Sequence, residues 1–157
     1  MKTIIIFSTK RQTTKKCVLL LEEKMDSNVV SVELKKNTKI DLSNYENVII
    51  GGSIYMGMLN RNLKKFILNN QEILLSKNLG LFVCAMAEKD ELEEEIKANF
   101  PKALYDKAQK VYCLGGAFNL EEMNFLERFI VKKVAKIKES VSYINEEEIK
   151  ELSSKFV

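Results

Sequence analysis

Thr3-Ile4-Ile5-Ile6-Phe7-Ser8-Thr9-Lys10-Arg11-Gln12-Thr13-Thr14 opens with an apolar run of strand length, breaks into hydroxyls and positive charge, and leads directly into a segment of helical period. Within Gln12 to Met25, Cys17, Leu20 and Leu21 recur at helical spacing while lysines and glutamates occupy the other side. A strand followed by a helix of this kind is half of a βαβ unit, and the rest of the chain repeats it. Asn28 to Leu34 alternates, with Val30, Val32 and Leu34 on one face, as a half-exposed edge strand does. Asn47 to Ser53, Leu79 to Met86 and Lys110 to Gly115 are continuously apolar, as strands covered on both faces are. The spacing predicts helices over Asn60 to Asn70, Glu88 to Asn99, Glu121 to Lys138 and Glu146 to Lys155, with Pro101 as the stop after the second of these.

Five strands with the edge strand second in sequence predict an α/β fold. It is a doubly wound five-stranded parallel sheet of order 2-1-3-4-5, with helices on both faces. In that order a ligand sits between the first and third strands, where the winding reverses. The 157 residues show no linker, repeat or low-complexity stretch and are expected to form one domain, residues 1–157.

Composition narrows the chemistry. Apolar residues make up 46% and charged residues 30%, which suits a soluble globular chain. No apolar run reaches the roughly 20 residues needed to cross a bilayer, and the first residues are too short a run for a signal peptide, so a cytoplasmic protein is expected. The absence of histidine removes Ser-His and Cys-His nucleophilic catalysis and the histidine metal sites. Cys17, Cys84 and Cys113 are odd in number, widely spaced and set in apolar runs, which reads as three reduced, buried thiols. Redox or group-transfer chemistry in such a chain needs a bound cofactor. No metal site and no nucleic-acid partner are expected, and no catalytic side chain stands out.

Two loops are candidates for holding that cofactor. Ser8, Thr9, Thr13 and Thr14 bring hydroxyls to a helix N-terminus, and Lys10 and Arg11 add charge with no acidic residue before Glu22, which together suit an anion. The same residues would equally serve as an ordinary capped helix start. After the third strand, Ser53-Ile54-Tyr55-Met56-Gly57 is a glycine-flanked loop able to lie against a flat ring system, or to be a plain turn with a surface tyrosine. A receiver domain would place carboxylates after strands one and three. A dinucleotide fold would need G-x-G-x-x-G after strand one. The chain has neither.

Phe7 to Thr14 resembles the FMN phosphate loop of flavodoxins, and Gly52 to Gly57 resembles their first isoalloxazine loop. Gly116-Ala117-Phe118 followed by Asn124 to Lys136 is similar to the segment after strand five in the menaquinone-dependent protoporphyrinogen oxidase branch of the flavodoxin-domain family. The resemblance implies FMN as cofactor, its phosphate held by Thr9, Lys10, Arg11, Gln12, Thr13 and Thr14 beside Ser8. The ring would lie against Ser53 to Gly57, with Ala85, Met86 and Ala87 on its other face and Gly116 nearby. The implied role is electron transfer to a redox partner protein or a quinone; the branch implies an oxidase acting on a carboxylate-bearing substrate. A binding module that has lost FMN is a third possibility, because Gln12 stands where the family's loop has a glycine. Glycine tolerates backbone conformations that glutamine resists.

Five basic and no acidic residues lie between Arg128 and Lys138, beside Phe125 and Phe129. That helix packs its apolar stripe on the sheet with its lysines solvated, or it meets an anionic membrane from the cytoplasmic side. The formal charge of +3 fits poorly with an ordinary acidic electron shuttle.

Overall fold

A computed structural model describes residues 2–10, 12–25, 28–87, 89–118 and 141–156. Elements are numbered over those residues. The strands are β1 (Thr3–Ser8), β2 (Val29–Glu33), β3 (Asn47–Tyr55), β4 (Met58–Leu59), β5 (Asn78–Cys84), β6 (Val111–Phe118) and β7 (Val141–Ile144). The helices are α1 (Thr13–Glu23), α2 (Arg61–Asn69), α3 (Gln71–Leu75), α4 (Lys89–Asn99), α5 (Lys102–Ala108) and α6 (Glu146–Ser154).

The main sheet runs β2-β1-β3-β5-β6-β7. Its first five members are mutually parallel and reproduce the expected order 2-1-3-4-5. Alternate residues explain why the central runs are apolar without a break. Ile4, Ile6, Val48, Ile50, Leu81 and Val83 pack with Leu63, Ile67, Leu74 and Leu104 on one face. Ile5, Phe7, Ile49 and Phe82 pack with Val18 and Leu21 of α1 and Ile149 and Leu152 of α6 on the other. Burying both faces erases the period-two signal in the central strands, whereas β2 at the edge is only partly buried, with Val30 exposed.

Two antiparallel pieces add to the expected five strands. β4 folds back on β3 as a two-residue hairpin arm, and β7 pairs with β6 through Gly115 to Phe118, covering a sheet edge that would otherwise leave backbone groups unpaired. Two short helices, α3 and α5, also escaped the periodicity, since five and seven residues are too few to display it. Pro101 does end α4, and it is also the N-cap position of α5. The basic segment Glu121 to Lys138 lies outside the described residues.

Of the three thiols, Cys17 and Cys84 are buried as expected, and Cys113 is partly exposed. Contact with Cys17 and burial push the Cys84 thiol well above its ordinary range. Cys17 is lowered by the same contact, which outweighs its burial.

Candidate functional site

The register of β1 on β3 builds the site. Ser8 faces Gly52, so the loop leaving β1 and the loop leaving β3 emerge side by side at the carboxyl end of the sheet. Between them lies a cavity of about 380 Å³, within the range of small-molecule sites. Ser8, Thr9 and Lys10 form one side, and Ser53, Tyr55, Met58, Leu59 and Asn60 form the other. A larger depression of about 750 Å³ opens at the amino end of the strands around Lys2, Glu46 and Asn78. There the Lys2 backbone N–H already donates to Glu46 at 2.7 Å and Asn78 to Asn47 at 2.9 Å.

Among the described residues, the lining of the smaller cavity contains no carboxylate and one cation. Ser8 is 2% exposed, and its hydroxyl has no hydrogen-bond partner among the described residues. Such a buried polar group costs about 1–3 kcal/mol unless something meets it. Gly52 is what leaves room for this hydroxyl, because a Cβ there would collide with Ser8 Oγ. Beside it, α1 begins with no side-chain cap, so the first N–H groups of the helix lack intrahelical partners. An unmet buried donor, uncapped helix amides, the Thr9 hydroxyl and the Lys10 ammonium together suit a phosphate.

Gln12 answers the question raised by the missing glycine. It adopts the left-handed conformation, with φ 70° and ψ −18°, so the turn keeps a glycine-like shape with a glutamine in it. Its N–H is held by Thr9 Oγ1 at 3.2 Å, and its carbonyl accepts the Lys16 N–H at 3.1 Å. Thr13 follows on the first turn of α1. Thr14 is fully buried, with its hydroxyl 2.6 Å from that of Ser53, and ties the first loop to the second from below. Arg11 lies outside the described residues.

On the second loop, Lys10 Nζ sits 3.7 Å from the centre of the Tyr55 ring, a cation–π contact joining the two sides of the cavity. Ile54 packs toward the core, and Met56 and Gly57 form the hairpin turn with φ of 52° and 78°. Positive φ at both central residues is the pattern of a type I′ turn, which usually carries Asn-Gly. Sequence reasoning missed Leu59 and Asn60, which with Met58 at the end of the candidate loop complete the wall. A hairpin signal of Met-Gly in place of Asn-Gly concealed the turn that brings them there.

Ala85, Met86 and Ala87 follow β5 and are not on the wall of this cavity. Ala85 O accepts the Tyr143 hydroxyl at 3.3 Å. Burial, followed by the neighbouring Cys113 thiol, pushes the Tyr143 phenol up to about 12. Gly116 is buried beneath that loop, where a side chain would strike the Ala85 carbonyl, so its smallness sets how closely the loop lies on β6.

A comparison with protein-family models matches the flavodoxin domain over residues 4–143. The chain belongs to the flavodoxin-domain family. Among solved structures, it is similar in fold to the WrbA-like flavodoxin of Agrobacterium tumefaciens, at 16% identity and a TM-score of 0.51, covering 86% of this chain and 95% of that one. An alignment with the Fusobacterium nucleatum flavodoxin, solved bound to flavin mononucleotide, has 23% identity and a TM-score of 0.44 over 71% of this chain and 69% of that one. A third, with the rubredoxin oxygen:oxidoreductase of Desulfovibrio gigas, has 16% identity and a TM-score of 0.49 over 69% of this chain; it spans 34% of that protein. No curated protein matches the sequence.

Proposed function

We propose that this flavodoxin-domain chain binds FMN in the cavity between β1 and β3 and serves as an electron-transfer protein. The observation that carries the reading is the buried Ser8 hydroxyl, without a partner among the described residues, in a cavity whose described lining has a cation and no carboxylate. Ser8, Thr9 and the backbone N–H groups at the start of α1 would hold the phosphate, with Lys10 supplying charge. Thr14 and Ser53 brace the two loops against each other, so the donors are placed before any ligand arrives. Tyr55 and Met58 offer apolar surface to the ring system. Once bound, FMN supplies a group that takes up and releases electrons, chemistry the side chains lack. A redox partner protein or a quinone would exchange those electrons.

The finer assignment to the protoporphyrinogen oxidase branch rests on the likeness of Gly116 to Lys136, of which residues 119–136 lie outside the described ones. Attachment to an anionic membrane rests on the same segment. Among the described residues no helix is long and apolar enough to cross a membrane.

Titrating the purified protein with FMN, followed by quenching of flavin fluorescence, tests the reading. Ser8→Ala separates binding from folding. It should weaken FMN about tenfold or more, since a hydrogen bond to a charged group contributes about 1.5–3 kcal/mol. The ligand-free protein should be no less stable, because the hydroxyl removed is one the fold leaves unmet. Wild-type protein without affinity for FMN would refute the assignment. Ser8→Ala protein that binds with full affinity would move the phosphate elsewhere.

A further inference from the structure

The hairpin formed by β3 and β4 supplies half of the cavity wall, yet it has little of its own to hold it. Only two residue pairs join its arms, Ile54 with Leu59 and Tyr55 with Met58. An isolated ladder of that length is marginal in water. Its turn also asks a methionine, Met56, to take a positive φ that L residues other than asparagine and aspartate seldom adopt. A support from outside the hairpin is required, and α4 provides one.

Asn99, the last residue of α4, is 5% exposed, and its side chain is fully engaged. The amide nitrogen donates to Gly57 O at 2.8 Å and to Glu95 O of its own helix at 2.8 Å. The amide oxygen accepts the Leu59 backbone N–H at 3.0 Å. One side chain thus grips the carbonyl at the turn and the amide two residues later, on either side of Met58, while its third bond fixes the rotamer to the helix. The helix is itself held to the core through Leu92, Ile96 and the adjacent Phe100. Asn99, Glu95 and Gly57 do not line the cavity; Tyr55, Met58, Leu59 and Asn60, whose positions the clamp determines, do.

We propose that Asn99 is a positioning residue for the ligand site, setting the wall formed by the β3–β4 hairpin through paired hydrogen bonds to Gly57 O and Leu59 N–H. The proposal rests on the FMN reading for the identity of the ligand and on the geometry alone for the clamp. Its effect falls on the ring-facing wall and not on the phosphate donors of the first loop. Loss of the clamp should therefore weaken FMN and riboflavin by the same factor.

The test uses the full chain with Asn99→Ala and Asn99→Asp. Asn99→Ala should raise the dissociation constants of FMN and riboflavin together by at least tenfold. It should also speed hydrogen exchange of the Leu59 amide at least tenfold, with the amides of β1 and β3 unchanged. Asn99→Asp keeps the acceptor for Leu59 but, when ionised, cannot donate to Gly57 O. Its affinity should be poor at pH 8 and recover toward that of the wild type as the pH falls through the titration of that carboxyl, each compared with the wild type at the same pH. A merely structural asparagine would give neither the matched loss nor the recovery. Affinities within twofold of wild type, or an unchanged Leu59 exchange rate in Asn99→Ala, overturn the proposal. If wild-type protein binds neither flavin, the functional reading fails, and the clamp then stands or falls on Leu59 exchange alone.

Discussion

Replacing Gln12 by glycine probes the residue at which the proposed phosphate loop departs from the pattern it resembles and measures what that departure costs. Gln12 holds φ at 70°, its side chain makes no capping bond, and it is exposed, so the substitution deletes no contact of the fold. An L residue in the left-handed region bears about 1–2 kcal/mol of strain, which glycine relieves. Against this, glycine gains freedom in the unfolded chain, at a cost of about 0.5–1 kcal/mol. The net is a stabilisation of about 0–1.5 kcal/mol, centred on about 0.75, or a rise in Tm of roughly 2–3 °C at the centre for a chain of this size. Gln12→Ala is the control: it keeps the strain and should leave stability near that of the wild type. Urea unfolding, followed by circular dichroism with the slopes held in common, resolves the three proteins. FMN affinity of the glycine variant should equal or exceed that of the wild type, since the turn's shape is unchanged. Glycine and alanine variants of equal stability would show that the strain argument is wrong. Abolished FMN binding in Gln12→Gly would show that the glutamine side chain is itself a ligand.

Lys10 and Glu95 give two further predictions. Lys10→Met removes the ammonium from the Tyr55 ring and from the anion site; FMN should weaken about tenfold in low salt while riboflavin changes little. Equal effects on both ligands would mean that Lys10 acts through Tyr55 and not on the phosphate. Burial, followed by the nearby charge of Glu91, raises the Glu95 carboxyl, and its Oε2 has no partner among the described residues. A carboxyl raised by folding favours the protonated native state, so its contribution is present at acid pH and is lost as pH rises from the ordinary glutamate range through the folded value. Glu95→Gln should therefore flatten the stability profile across that window and be the more stable protein at pH 7. Parallel profiles for the variant and the wild type would refute this.

The sheet was legible because burial on two faces writes continuous apolar runs into β3, β5 and β6, while in the partly buried edge strand β2 Val30 and Val32 alternate with Ser31 and Glu33. Elements whose stability comes from tertiary contact were not legible. β7 is four residues whose role is to cover the β6 edge, and nothing in Val-Ser-Tyr-Ile identifies that edge. α5 begins at the proline that had been read only as a stop. Asn99 carried no signal either, since a polar residue at the end of a helix is ordinary, and the two backbone groups it grips lie about 40 residues away.

The site shows the same division at closer range. Ser8 to Thr14 announced an anion loop, since hydroxyls, charge and a helix start are local chemistry. Which of those residues face a ligand is decided by register, which pairs Ser8 with Gly52 and brings Ser53 beside Thr14. Slipping β1 by one residue on β3 would send Ile4 and Ile6 to the face now filled by Ile5 and Phe7, exchanging the contents of two packed cores. The apolar pattern of β1 thus enforces the alignment at its carboxyl end. The same alignment leaves the Ser8 hydroxyl buried over a glycine without a partner, and it puts Lys10 within reach of Tyr55. Packing of the core therefore sets the geometry of the proposed anion site. A core substitution that loosened the β1–β3 pairing, such as Ile49→Ala, should weaken FMN at a distance from it.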